Sequence, residues 1–111
     1  MKKTIKNVRR GGTNIFKELK LPDAEELNAK AQIAYRICGI LEERKLTQKD
    51  AATLLGIDQP KVSALLRGRL EGFSSDRLFR FLNALDRDID IVIRRTKKRS
   101  GGAKIRVLAA E

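Results

Sequence analysis

The chain has 111 residues, is 41% hydrophobic and 35% charged, and carries a formal net charge of +11. That size holds one small domain with a modest core, and that mixture excludes a disordered chain. No segment approaches the roughly 18 apolar residues of a membrane span, and no apolar run follows Met1-Lys2-Lys3, so neither a membrane anchor nor a signal peptide is expected and the default location is the cytoplasm.

With one cysteine, Cys38, and no histidine, an intrachain disulfide, a structural zinc site and a Cys–His catalytic pair are all excluded. Cys38 sits in an apolar helical pattern beside Ile37, which suits a small packed hydrophobe. The charge is unevenly spread. Residues 1–20 hold seven Lys/Arg and one acid, residues 94–111 hold seven and one, and residues 21–93 hold eleven basic and twelve acidic side chains. A near-neutral core therefore carries two basic ends. Charge alone does not choose between solubilising tails and arms that seek phosphates.

In chain order, residues 1–13 read as a flexible basic arm ending in Arg10-Gly11-Gly12, and Asn14-Ile15-Phe16 as a short strand. Pro22 breaks the chain. Asp23 is a good N-cap with Glu26 at the capping-box position. Leu27, Ala31, Ala34, Ile37, Cys38 and Leu41 then recur at helical spacing, joined by Ile33 and Ile40, giving a long amphipathic helix over about 23–44. Thr47 caps a second helix that holds Ala51, Ala52, Leu54 and Leu55 and stops at Gly56, a residue suited to a left-handed cap. Asp58 caps a third helix with Pro60 in its first turn, where a missing N–H costs nothing. Val62, Leu65 and Leu66 point inward and Gly68 ends it. A fourth helix follows Ser74-Ser75-Asp76, with Leu78, Phe81, Leu82 and Leu85 on one face. The period then changes to two: Ile89, Ile91 and Ile93 make a strand, and Lys104-Ile105-Arg106-Val107 a second, weaker one.

The stretch LTQKDAATLLGIDQPKVSALLRG, residues 46–68, is two short helices around a glycine turn, the pattern of a helix-turn-helix. Ala51 and Ala52 are small where the helices cross, and Ile57 and Val62 pin the turn. Gln59, Pro60, Lys61, Ser63, Ala64 and Arg67 remain on the outer face of the third helix. A helix of this width fits the DNA major groove with its first turn at the base edges.

That stretch resembles the helix-turn-helix of lambda-repressor-like, XRE-family regulators, through Thr47-Gln48, Ala52, Leu55-Gly56, Gln59, Val62-Ser63, Leu65 and Arg67-Gly68. Over about 14–93 the chain also resembles the small HigA-like antitoxins. The resemblance implies that Gln48 bonds a backbone phosphate and braces the reading residue, and that Gln59 reads a base. A Gln amide pairs bidentately with adenine N6 and N7. Pro60, Lys61 and Ala64 share the base-reading face, Ala64 against a thymine methyl. Thr47, Ser63, Arg67 and Arg69 are implied phosphate contacts that fix register without reading sequence. Four positions depart from the family pattern: Lys45 and Asp86 stand where glycine is frequent, Leu41 where an Arg often pairs with an acid, and Leu66 where Glu is common.

Ser63 has no base arranged beside it, and RRGG and RSGG are not phosphate-cradling loops, since neither follows a strand and opens a helix. No enzyme is expected, and no cofactor or metal. The expected architecture is a mainly α, lambda-repressor-like bundle of four to five helices with a short terminal β element. Residues 1–13 form its basic arm, 14–93 the DNA-binding domain with a terminal strand, and 94–111 a basic tail that includes the second strand. The expected partners are double-stranded DNA with a palindromic operator, a second copy of the chain, and, by resemblance, a small HigB/RelE-like ribonuclease toxin. Two alternatives stand beside this autorepressing antitoxin: a stand-alone or phage-type repressor without a toxin, and an RNA-binding protein acting through its basic ends. The strand at Ile89–Ile93 needs a partner, because a lone strand pair is marginal in water. Asn14–Phe16, Lys104–Val107 and the same strand of a second chain are the candidates.

Overall fold

The computed structural model describes residues 2–6, 23–96 and 104–110. Among these, four helices and two strands follow one another: β1 (Lys2–Lys6), α1 (Asp23–Glu43), α2 (Gln48–Leu55), α3 (Gln59–Leu66), α4 (Ser75–Ala84) and β2 (Asp90–Arg94). The mainly helical bundle with a terminal β element is thus the observed architecture.

The three shorter helices begin alike. Thr47 Oγ1 accepts the amide N–H of Asp50 at 3.0 Å, Asp58 Oδ1 accepts that of Lys61 at 3.0 Å, and Ser74 Oγ accepts that of Arg77 at 3.1 Å. Each bond satisfies one donor that a helix start leaves without an intrahelical partner.

All four helices also end alike. Just past each helix end an amide reaches back to the carbonyl five residues earlier: Leu46 N to Leu41 O, Ile57 N to Ala52 O, Arg69 N to Ala64 O and Arg87 N to Leu82 O, at 2.9–3.2 Å. This is the Schellman closure, which needs one residue in the left-handed region. Gly56 and Gly68 supply it at φ +73° and +74°. At the other two ends Lys45 (φ +54°) and Asp86 (φ +64°) supply it instead. The two departures from glycine therefore fall where the backbone most wants glycine, at about 1 kcal/mol each. A clasp joins these two ends. The Arg44 guanidinium donates to the Leu85 carbonyl at 2.8 Å and to Asp86 Oδ2 at 3.3 Å.

One core holds the bundle together. Ile33, Ala34, Ile37, Ile40 and Leu41 of α1 meet Ala51, Ala52 and Leu55 of α2, Val62 and Leu65 of α3, and Leu78, Phe81 and Leu85 at and beyond α4. From Ile33 to Leu41 the inner face of α1 is the expected one, and only its first turns differ. Leu27 is 61% exposed and Ala31 is exposed, while Ala29 is fully buried. Two overlapping series at helical spacing run along α1, and the one carrying three isoleucines faces the other helices. Leu66, expected inward, is 44% exposed, and Leu54 of α2 is 39% exposed. Each lies next to a deeply buried leucine, and a short helix packed on one side buries only a narrow stripe.

The strand is observed one residue later than expected, at Asp90–Arg94, and its partner was not among the expected ones. β2 pairs antiparallel with Lys2–Lys6, in the register Lys2↔Arg94, Thr4↔Val92, Lys6↔Asp90. The first residues of the basic arm are thus a strand; the expected strand at Asn14–Phe16 lies outside the described residues. Lys104–Val107 is not a strand. The extended segment 104–110 lies along α1, where the amides of Ile105 and Val107 donate to Glu25 Oε1 at 3.2 Å and Gln32 Oε1 at 3.1 Å. Ile105 and Ile91 pack on Ala29 beside Phe79. Side chains of α1 have taken the place of a neighbouring strand.

Candidate nucleic-acid interface

α2 and α3 are joined by Gly56-Ile57-Asp58. Gly56 reverses the chain in the left-handed region, half-buried Ile57 packs against the core, and Asp58 starts the next helix. Fully buried Val62 and Leu65 fix the rotation of α3 about its own axis. That rotation leaves Gln59, Pro60 and Lys61 exposed on the leading turn.

Thr47 and Gln48 are exposed at the start of α2, and Arg67 and Arg69 at the end of α3. Seven of the nine residues proposed from sequence therefore lie open to solvent on these two helices and their ends. The remaining two do so only in part. Ser63 is half-buried, and Ala64 is half-buried with its side chain against the core. Of the four base-reading candidates, Ala64 offers the least surface.

An open concavity lies between α2, the turn and the start of α3. It is lined by Lys49, Ala52, Thr53, Gly56, Ile57, Asp58, Gln59, Lys61 and, from α4, Arg77. Three cationic side chains and one carboxylate therefore share its lining beside the candidate reading turn. Arg77 was not legible in the sequence. Its guanidinium sits 5.6 Å from the centre of the Phe73 ring and 5.8 Å from that of Phe81, and donates to the Gly72 carbonyl at 3.4 Å. The two rings meet edge to face, with centroids 5.9 Å apart. Cation–π attraction and a carbonyl hold Arg77 in one orientation at the rim. The one available signal was its place three residues after the Ser74 cap, and that spacing does not say which side of α4 meets α2.

Cys38 is half-buried against the core, with Sγ 3.7 Å from the Leu65 carbonyl oxygen. Burial pushes its thiol pKa up, and a backbone hydrogen bond offsets part of the shift. Among the described residues, no group of three or more His, Cys, Asp or Glu could hold a metal ion, and no helix is long and apolar enough to cross a membrane.

The arrangement is a capped helix pair with a polar leading turn, flanked by arginines. A family model described as a helix-turn-helix domain matches residues 15–94. A solved structure named as an XRE-family transcriptional regulator superposes with a TM-score of 0.75 at 49% identity, over 80% of this chain and 100% of that one. The chain belongs to the XRE-type helix-turn-helix family. No curated protein is a significant match. The second helix of the motif is α3, and its leading turn is exposed.

Proposed function

We propose that this XRE-type protein is a sequence-specific repressor that binds a palindromic operator as a dimer and silences its own operon. What supports the base-reading part is the solvent exposure of Gln59 and Lys61 on the leading turn of α3, with α3 held by Val62 and Leu65 behind it. Gln59 reads one adenine bidentately, Lys61 reaches a neighbouring base or phosphate, and Pro60 fills the space between them. Thr47, Gln48, Ser63, Arg67 and Arg69 contact phosphates on either side and set the register. Ala64 contributes at most the outward part of its methyl. Two copies place two α3 helices about one DNA turn apart, which matches a palindromic site.

The test is a binding-site selection with Gln59→Ala. Roughly 1–3 kcal/mol of discrimination is lost at one base step in each half-site, with the fold unchanged. Unaltered operator preference would sink the assignment of the reading face.

The antitoxin role rests on the likeness of residues 14–93 to the HigA-like antitoxins. Its test is co-expression with a small ribonuclease encoded beside the gene: a one-to-one complex and relief of growth arrest support it, and neither outcome leaves a stand-alone repressor. Against the RNA-binding reading, replacing Lys97 and Lys98 weakens all DNA sequences about equally and leaves site preference intact. Deleting residues 1–12 is a poorer test, since it also removes the strand that pairs with β2.

A further inference from the structure

We propose that two copies of the chain join through the free edge of β2, antiparallel and centred on Val92. The inference rests on the dimeric-repressor reading and names the surface that reading needs.

The sheet among the described residues has two strands, β1 and β2, so the edge of β2 away from β1 has no strand beside it. β2 also stands off the bundle: Val92 is 43% and Ile93 39% exposed, and only Ile91 is half-buried. An exposed, β-branched edge strand is a template for another strand, and folded proteins usually cover such edges or break them with proline or inward charge. Neither proline nor inward charge protects this one.

The sequence of β2 says which strand fits. Asp90-Ile91-Val92-Ile93-Arg94 is symmetric in character about its centre. Laid antiparallel on a second copy with Val92 opposite Val92, Asp90 falls opposite Arg94 twice and Ile91 opposite Ile93 twice. Side chains at 90, 92 and 94 share one face, so each dimer carries two opposite-charge cross-strand pairs flanking a valine pair on that face and two isoleucine pairs on the other. Opposite charges and β-branched pairs directly across a sheet are each favourable, and like charges are not. A shift of two residues one way leaves Arg94 opposite Val92; the other way sets Asp88 opposite Arg94 but leaves Asp90 opposite Val92, so the register centred on Val92 is the one that pairs both ends of the strand. The exposed ends of the strand, Asp90 and Arg94, are open to meet a second chain. The result is a four-stranded sheet, β1-β2-β2-β1, with a two-fold axis through Val92. It extends a two-stranded sheet past the size at which strands become stable in water.

Charge reversal tests this, with sedimentation equilibrium of the full chain without DNA as the readout. Asp90→Arg and Arg94→Asp each turn two attractions into two repulsions and weaken the dimer on the order of tenfold or more. The double reversal restores the pairing and the dimer. The register inside one chain supplies a control. Asp90 lies opposite Lys6 and Arg94 opposite Lys2, so the two single reversals act in opposite senses on β1–β2 pairing. Only a contact between copies makes both weaken the dimer. Circular dichroism reports the helices; if either reversal unfolds the chain, Val92→Lys replaces it, bringing two lysines together at the axis and dissociating the dimer. A wild-type monomer at the highest soluble concentration, a dimer unaffected by these changes, or a double reversal that fails to recover it overturns the proposal. Because no DNA is present, such a failure leaves the Gln59 assignment standing, and a failure at Gln59 leaves this interface standing.

Discussion

Between Thr47 and Gly68 each helix boundary is set by a residue within a few positions of it: Thr47 for Asp50, Asp58 for Lys61, Gly56 for the turn. Between Lys2 and Arg94 the partners come from opposite ends of the chain, and segment 104–110 is held by two side chains of α1. The first region follows from rules that act over three or four residues. The second follows from closure of the whole chain, which only the packed bundle arranges. The helix-turn-helix is accordingly buried against a common core, while β2 and segment 104–110 rest on its flank.

The sharpest way to break that contrast is to cut into each region equally. Leu65→Ala removes a side chain that is 1% exposed at the centre of the core and costs about 2–5 kcal/mol. Ile105→Ala removes a half-buried one on the flank and costs well under half as much. Urea unfolding measures both, and equal costs would show that the flank belongs to the core. Next come the helix ends. Asp58→Ala loses the cap of α3 and destabilises by about 1 kcal/mol. Lys45→Gly moves in the other direction, stabilising by about 1 kcal/mol, because it removes a side chain from a left-handed position and keeps the bonds that close α1. A destabilising Lys45→Gly would mean that the side chain, not the backbone, decides this corner.

The flank gives a smaller effect. Glu25→Ala with Gln32→Ala removes the acceptors of the Ile105 and Val107 amides, at about 1 kcal/mol or less per bond. Hydrogen exchange at those two amides speeds up while exchange within α3 is unchanged. Smallest is Cys38. Its raised thiol pKa means that the folded chain holds the proton more tightly than the unfolded one. The associated stability is full below the unfolded thiol's pKa and is lost as pH rises through the folded value. Alkylation near neutral pH is therefore slower than for a free thiol, and a rate equal to that of glutathione would contradict this burial.

Most of the candidate interface was legible because its signals are local. The caps, the turn glycine, Pro60 and the spacing of Val62 and Leu65 each have a short-range cause, and together they leave Gln59 and Lys61 outside. The residues misread in the sequence share the opposite property. Leu27 and Ala31 fit the helical period as well as Ala29 and Ile33 do, and period alone does not say from which side α2, α3 and α4 approach. Leu66 sits beside Leu65 in sequence but on the open side of a short helix. Arg77 reached the concavity because α4 lies against α2. Arg44, at the end of α1, ties that helix to the end of α4 because two left-handed corners meet there.

The sequence by itself determined the helices, their ends and the polar turn of α3, since capping and periodicity act within one or two turns of chain. The resemblance to XRE-family regulators marks Lys45 and Asp86 as standing where glycine is frequent, and both hold left-handed backbone. Only the tertiary structure decided that Ala29 and not Leu27 or Ala31 is buried at the start of α1, that Lys2–Lys6 is the strand beside Asp90–Arg94, and that Ile105 and Val107 bond to α1 rather than to a strand. Those choices compare partners far apart in sequence, and their energies exist only once the core has brought the candidates together.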